Sequence, residues 1–260
     1  MATLSYHEQK DIENIKKLRE LQKELPSFCS DFFRGIETST STRTRIAYAY
    51  DLKIFFQFLK TANPGTFDNP SHTLTPSDLE KLTVTDLEEY IDYLKCHPSD
   101  TNEDVINTER GLMRKVSSLR SFYSYFFRNE RIEKNPAALV RMPKLHEKEI
   151  IRLEIDEVAK LLDEVEEGDK LTEKQKLYHE RTKVRDLAMM SLLLGTGIRV
   201  SECVGLNIND IDLDTCGARV YRKGGKESVI YFSDEVRDVL ENYLDEREMI
   251  EAVPGNEDAL

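Results

Sequence analysis

No run of apolar residues in this chain approaches the roughly 18 that a bilayer-spanning helix needs, so no membrane segment is expected. Cysteine is sparse. Cys29, Cys96, Cys203 and Cys216 are scattered with no CxxC pair, which speaks against both a zinc site and a disulfide framework. Reduced thiols in a cytoplasmic protein, and no metal, are the expectation. The N-terminus alternates charge with leucine and isoleucine (EQKDIENIKKLRELQKEL) and lacks the apolar stretch of a signal peptide. There is no internal repeat and no low-complexity tract beyond TSTST at 38–42.

What is present is a chain of 260 residues, one third of them charged, with room for two modest domains or one large one. The net charge of −12 argues against a nucleic-acid binder only if it is taken whole. By segment, residues 61–109 carry 2 Lys/Arg against 11 Asp/Glu, and residues 234–260 carry 2 against 10. Between them, residues 110–148 carry 10 against 3, and before them residues 43–60 carry 4 against 1. Phosphate binding depends on the local potential within a Debye length of about 8–10 Å, so two basic stretches among acidic ones are candidates.

Periodicity predicts mainly α structure with a small β-sheet. A first helix is expected over 10–33, followed by the TSTST loop as a cap. A second helix carries Tyr48, Leu52, Phe55, Phe56 and Leu59 on one stripe and is stopped by Asn63, Pro64 and Gly65. A third is expected to start at a capping box of Thr85 and Glu88. In the fourth, Leu112, Val116, Leu119, Phe122, Tyr123 and Phe126 share one face. Opposite them Arg110, Arg114, Ser117, Ser121, Ser124 and Arg128 form a stripe without an acid. Short serines between arginines suit close approach to a phosphate backbone, although a solvated face is an equal alternative on this helix alone. Asn135 and Pro136 end it, and 141–152 reads as an extended basic linker.

Beyond the linker a helix is expected to turn Ile155, Val158, Leu161, Leu162 and Val165 inward, with a charged loop over 166–179. An apolar helix end (DLAMMSLLL) follows, then short strands with a hairpin at Gly224 and Gly225, then an amphipathic helix after Ser233 with Tyr243 inward. The last eight residues, VPGNEDAL, look unstructured. GTGIRVSECVGL places Arg199 in the first turn of a helix, beside free N–H groups that welcome an anion. Two readings stay open: a phosphate pocket with guanidinium geometry, or a simple pair with Glu202 one turn on. Lys223 in RKGGK is a solvated turn lysine unless the hairpin tip reaches that pocket, where it could protonate a departing oxygen.

GTGIRVSECVGLNINDIDLD followed by RVYRKGGKESVIYF resembles the opening half of the catalytic domain of tyrosine recombinases, the phage-integrase family, Xer-like members included. TRIAYAYDLKIFFQFL is similar to the family's T-x-x-x-Y-x-x-D-L helix, and KVSSLRSFYSYFFRNERIEKNPA to its S-x-L-R-x-F-x-x-Y helix and NP stop. The resemblance implies a four-helix SAM-like core-binding domain (1–140), a linker (141–152) and a partial α+β catalytic domain (153–260). It implies that Arg199 binds the scissile phosphate, Glu202 supports it, and Lys223 rather than Lys226 is the general acid, with Arg222 where glycine is common. Candidate DNA contacts on the basic segments are Arg43, Arg45, Arg110, Arg114, Lys115, Ser117, Arg120, Ser121 and Arg128.

The family also needs a His-x-x-Arg box, a further His or Trp, and a tyrosine nucleophile. The five histidines are followed at +3 by Lys10, Thr75, Asp100, Glu149 and Thr182, never by arginine. From residue 150 only 111 residues remain, where about 150–200 are usual for such a domain, so a C-terminal portion is expected to be absent and this chain alone inactive. The implied function is site-specific recombination or integration through a phosphotyrosine intermediate, which conserves bond energy and needs no cofactor. Double-stranded DNA is the implied partner, with a homotetramer on DNA, a monomer without it, and a mobile-element or chromosomal role. Two alternatives are a non-catalytic regulator occupying recombination sites and a helical module meeting an acidic protein partner.

Overall fold

The structure, a computed structural model, describes residues 6–98, 103–146, 149–222 and 226–260. The chain divides into two compact units, one over Lys10–Lys148 and the other containing Glu149–Leu260.

The Lys10–Lys148 unit is helical. Its first helix breaks where one was expected: α1 (Tyr6–Lys23) and α2 (Cys29–Gly35) are separated at Leu25–Pro26, because proline disfavours helical backbone in the residue before it. Gly35 lets α2 close on the last helix of the unit: a Cβ there would lie 2.0 Å from the Tyr125 ring. Ser41 accepts from Thr44 N and starts α3 (Thr42–Ala62), which buries Ala49, Leu52, Phe55, Phe56 and Leu59. Two single turns follow, α4 (Pro64–Phe67) and α5 (Pro76–Leu79).

The capping box of α6 (Val84–Lys95) is Thr83 with Asp86, not Thr85 with Glu88. Thr83 has the extended backbone an N-cap requires, whereas Thr85 is already inside the helix. A short antiparallel ribbon, β1 (Cys96–Pro98) with β2 (Asp104–Ile106), is an element that hydrophobic periodicity does not announce. Thr108 then caps α7 (Glu109–Arg128), whose apolar face closes the core as its pattern requires. Phe122, fully buried, lies between Phe28, Phe32, Phe56 and Phe126 at centroid distances of 5.1–6.2 Å.

In the Glu149–Leu260 unit, α8 (Ile155–Glu167) buries no residue fully; Val158, Leu161, Leu162 and Val165 are half-buried, and Ile155 is exposed rather than inward. The charged loop is shorter than expected. Gly168 ends α8 in the left-handed region at φ 68°, and Thr172 with Gln175 opens α9 (Glu173–Thr196). EKQKLYHER has no apolar stripe, so only its cap and good helix formers signal the early start.

Next come α10 (Val200–Cys203) and a three-stranded antiparallel sheet in the order β3 (Ile211–Asp212), β4 (Gly217–Arg222), β5 (Lys226–Tyr231). α11 (Asp234–Glu248) lies against α9. Ala188, Leu192, Ala218, Val220, Val236, Leu240 and Tyr243 share the core. VPGNEDAL is ordered, contrary to its look. Ile208 N donates to Asp258 O (2.8 Å), Leu260 N to Leu206 O (3.1 Å) and Arg247 Nε to Ala259 O (3.1 Å). Main-chain groups of 206–208 recruit this acidic tail, a pairing that side-chain composition does not encode.

Candidate phosphate site and basic helix face

In the Glu149–Leu260 unit the chemistry starts at the end of α9. Gly197 adopts φ 67° and stops the helix, a conformation glycine takes without a Cβ penalty. Arg199 is then the N-cap of α10, with extended backbone, and not a residue of its first turn; no helix-dipole rule is broken. α10 is a single turn, so the expected pocket of free helix N–H groups has little to offer an anion. Glu202 does the positioning instead. One of its carboxylate oxygens accepts Arg199 N–H (2.9 Å), the other Arg199 Nη1 (2.7 Å).

Glu202 is buried and Arg199 is not: its side chain is 70% exposed. The N–H of Arg199, then its guanidinium and the charge of Arg222, hold Glu202 below the usual carboxylate range against the opposing effect of burial. Arg222 is the last residue of β4 and lies near enough for its charge to be felt there. It was noticeable in sequence only as a departure from glycine. Lys226, exposed, pairs with it across the hairpin, and Lys223 lies outside the described residues. Tyr243 is buried in the core, and burial raises its hydroxyl pKa.

In the Lys10–Lys148 unit the expected DNA-binding residues separate into two groups. Arg43, Arg110, Arg114, Ser117 and Arg128 are exposed or largely so, and Ser121 is half-buried on the same face of α7. Three others also bond inside the unit and are less open to solvent. Arg45 is buried with Nη1 on Glu37 Oε1 (2.8 Å). Lys115 is buried with Nζ on Asn107 Oδ1 (2.8 Å). Arg120 donates to the carbonyls of Ala137 and Val140, clipping 136–140 to α7.

Arg114 has an anchor that the basic stripe does not reveal. Asp51, the one acid of the 43–60 segment, is 2% exposed, and its Oδ2 accepts Arg114 Nη1 at 2.5 Å. Burial pushes Asp51 up to about 6 despite the attraction of Arg114 and Lys115, from an ordinary value of 3.8. A carboxyl whose folded pKa is raised favours folding below its unfolded pKa and loses that contribution as pH rises through the folded one. Asp51 should therefore cost this unit on the order of 3 kcal/mol between pH 4 and 7. Native-state hydrogen exchange of α3 amides should show the dependence in the wild type and lose it in Asp51→Asn. Equal pH slopes in both proteins would refute it.

Known proteins resemble this chain in sequence and in fold. The model of the phage integrase family matches residues 151–257. The tyrosine recombinase XerC of Caldanaerobacter subterraneus subsp. tengcongensis is 34% identical over 228 residues, 84% of this chain and 58% of the relative. XerS of Streptococcus uberis is 31% identical over 259 residues, covering 90% and 71%. The chain thus spans less than two thirds of the XerC relative. A lambda integrase dimer bound to a COC' core site superposes with a TM-score of 0.54 at 17% identity, over 87% of this chain and 70% of that one. Identity to XerS across most of both sequences shows the relationship, and the chain belongs to the tyrosine recombinases of the phage integrase family.

Proposed function

We propose that this chain holds duplex DNA with the exposed face of α7 and the start of α3, and holds the scissile phosphate with Arg199, in site-specific strand exchange. The observation that carries the reading is Arg199 itself: a guanidinium fixed at 2.7 Å by a buried carboxylate, yet 70% open to solvent. An arginine needed only for packing would be covered. This one is oriented and left available, the condition for binding an oxyanion with fork geometry.

In the proposed step a tyrosine hydroxyl gives up its proton to solvent as its oxygen attacks phosphorus, the P–O5′ bond breaks, and the leaving O5′ takes a proton from Lys223. Arg199, with Arg222 nearby, offsets the charge that develops on the phosphoryl oxygens. A free 5′-hydroxyl later attacks the phosphotyrosine and reverses the step. Because the ester bond is conserved, the exchange needs no nucleotide. We extend the proposal to the assembly, a homotetramer on DNA from monomers in the cytoplasm.

The basic face gives the direct test. Replacing Arg110, Arg114 and Arg128 by alanine should weaken duplex binding alike for all sequences. It should also lower the log–log salt slope by about 0.9 for each phosphate no longer neutralised, roughly 2.7 in total. The apolar face of α7 is untouched, but Arg114→Ala removes the partner of the buried Asp51, so the variant should be less stable than the wild type, and circular dichroism at the assay temperature checks that it is folded. An unchanged salt slope would show that this face meets something other than phosphate.

A further inference from the structure

Apart from the α7 face and the Arg199 site, α1, α2 and the start of α3 form an open cleft of about 450 Å³ in the Lys10–Lys148 unit. Three arginines line it, Arg19, Arg34 and Arg45, together with Gln22 and Ser30, and its one acid is Glu37. Arg45 is only 8% exposed. Its Nη1 is satisfied by Glu37, but its Nε–H is buried with no hydrogen-bond partner. A buried, unpaired guanidinium donor is costly, and native structures seldom leave one without a use.

The other two arginines are poorly neutralised. Arg34 is 76% exposed, and its nearest carboxylate, Asp31, stands 3.9 Å away and is also approached by Arg131 at 3.5 Å. Arg19 is exposed with no side-chain partner among the described residues. Three arginines and one acid, Glu37, line this concave surface, so the lining itself carries an excess of two positive charges, with Asp31 just outside it. Like charges gathered in this way repel one another unless an anion sits between them, and planar forks match tetrahedral oxyanions best. A volume of several hundred cubic ångströms is in the range of small-ligand sites, large for one phosphate and suited to a linked pair or triplet.

We propose that this cleft is a binding site for a phosphate-bearing anion, with Arg45 as its buried donor and Arg19 and Arg34 as its rim. It does not depend on the α7 face, and either reading can fail alone. The source is a soluble polyphosphate compound or a phosphate run of nucleic acid, and both share this chemistry.

The test is calorimetric titration of the full chain with sodium tripolyphosphate at constant ionic strength. Saturable one-to-one binding is expected, weakened at least tenfold in Arg19→Ala/Arg34→Ala. Both residues are exposed, so this variant should keep its fold, as circular dichroism can verify. The Arg110/Arg114/Arg128 alanine variant should bind tripolyphosphate as the wild type does. A duplex arm separates the sources. If tripolyphosphate competes with duplex DNA and the double variant loses duplex affinity, the phosphates are those of nucleic acid. If duplex affinity is unchanged, the ligand is a free phosphate compound. Absence of saturable binding at millimolar tripolyphosphate would overturn the proposal, as would binding that survives the double variant or disappears in the α7 variant.

Discussion

Arg199→Ala is expected to reduce cleavage of a suicide DNA substrate at least about 10³-fold, while lowering stability only modestly. The rate loss follows from the role. A pre-organised donor to a developing oxyanion is commonly worth about 10²–10³ in rate, and here the group removed is a full charge with two aligned N–H donors. The modest stability loss follows from the geometry: Glu202 Oε1 loses its guanidinium partner but its other oxygen does not. The Arg199 side chain is 70% exposed, and alanine keeps the main-chain N–H that Glu202 accepts at 2.9 Å. Lysine should restore little, since a point charge cannot reproduce the fork. A 5′-bridging phosphorothiolate should not rescue this variant, because a better leaving group replaces proton donation and not phosphate binding. The same substrate should rescue Lys223→Ala; rescue of Lys226→Ala instead would assign the general acid to the first residue of β5. Cleavage by Arg199→Ala within tenfold of the wild type would end the phosphate-binding role.

Phe122→Ala should destabilise the Lys10–Lys148 unit by about 3–5 kcal/mol, the range for deleting a fully buried aromatic ring. Phe122 is 0% exposed and packs edge-on or tilted against Phe28, Phe32, Phe56 and Phe126, which come from α7 itself, from α2 and the turn before it, and from α3. Four rings cannot all collapse into the space left, so the cavity cost adds to the forfeited transfer energy. Phe127 supplies the control on the same helix. It is 45% exposed, and Phe127→Ala should cost far less, about 1 kcal/mol or under. Urea unfolding followed by circular dichroism should rank the two in that order. Equal midpoint shifts would mean that the aromatic cluster is not the centre of this core.

How far sequence and structure each reach can be seen on α7. The apolar spacing of Val116, Leu119, Phe122, Tyr123 and Phe126 defines the buried face without any tertiary information, because helical period alone decides which side chains share a side. The GTGIRVSE stretch likewise marks Arg199 and Glu202, since a cation and an acid three residues apart on a turn have few ways not to meet. Local capping and breaking are less legible. Thr83 competes with Thr85 as a cap, and Pro26 splits a helix that charge alternation alone would have continued.

What composition and periodicity alone determined about this protein is its class, its helix faces and the neighbourhood of Arg199, all set by residues within one or two turns of each other. The tertiary structure decided which charges are available. Arg45, Lys115 and Arg120 look as free as Arg110 among the basic residues of the sequence, yet Glu37, Asn107 and two distant carbonyls occupy them. Asp51 is 63 positions from the arginine it anchors, and the charge of Arg222 acts on Glu202 from 20 residues away in sequence. A side chain's charge is written in the sequence. Whether that charge faces solvent, and what already pairs with it, depends on partners brought together from far along the chain, and no local period encodes them.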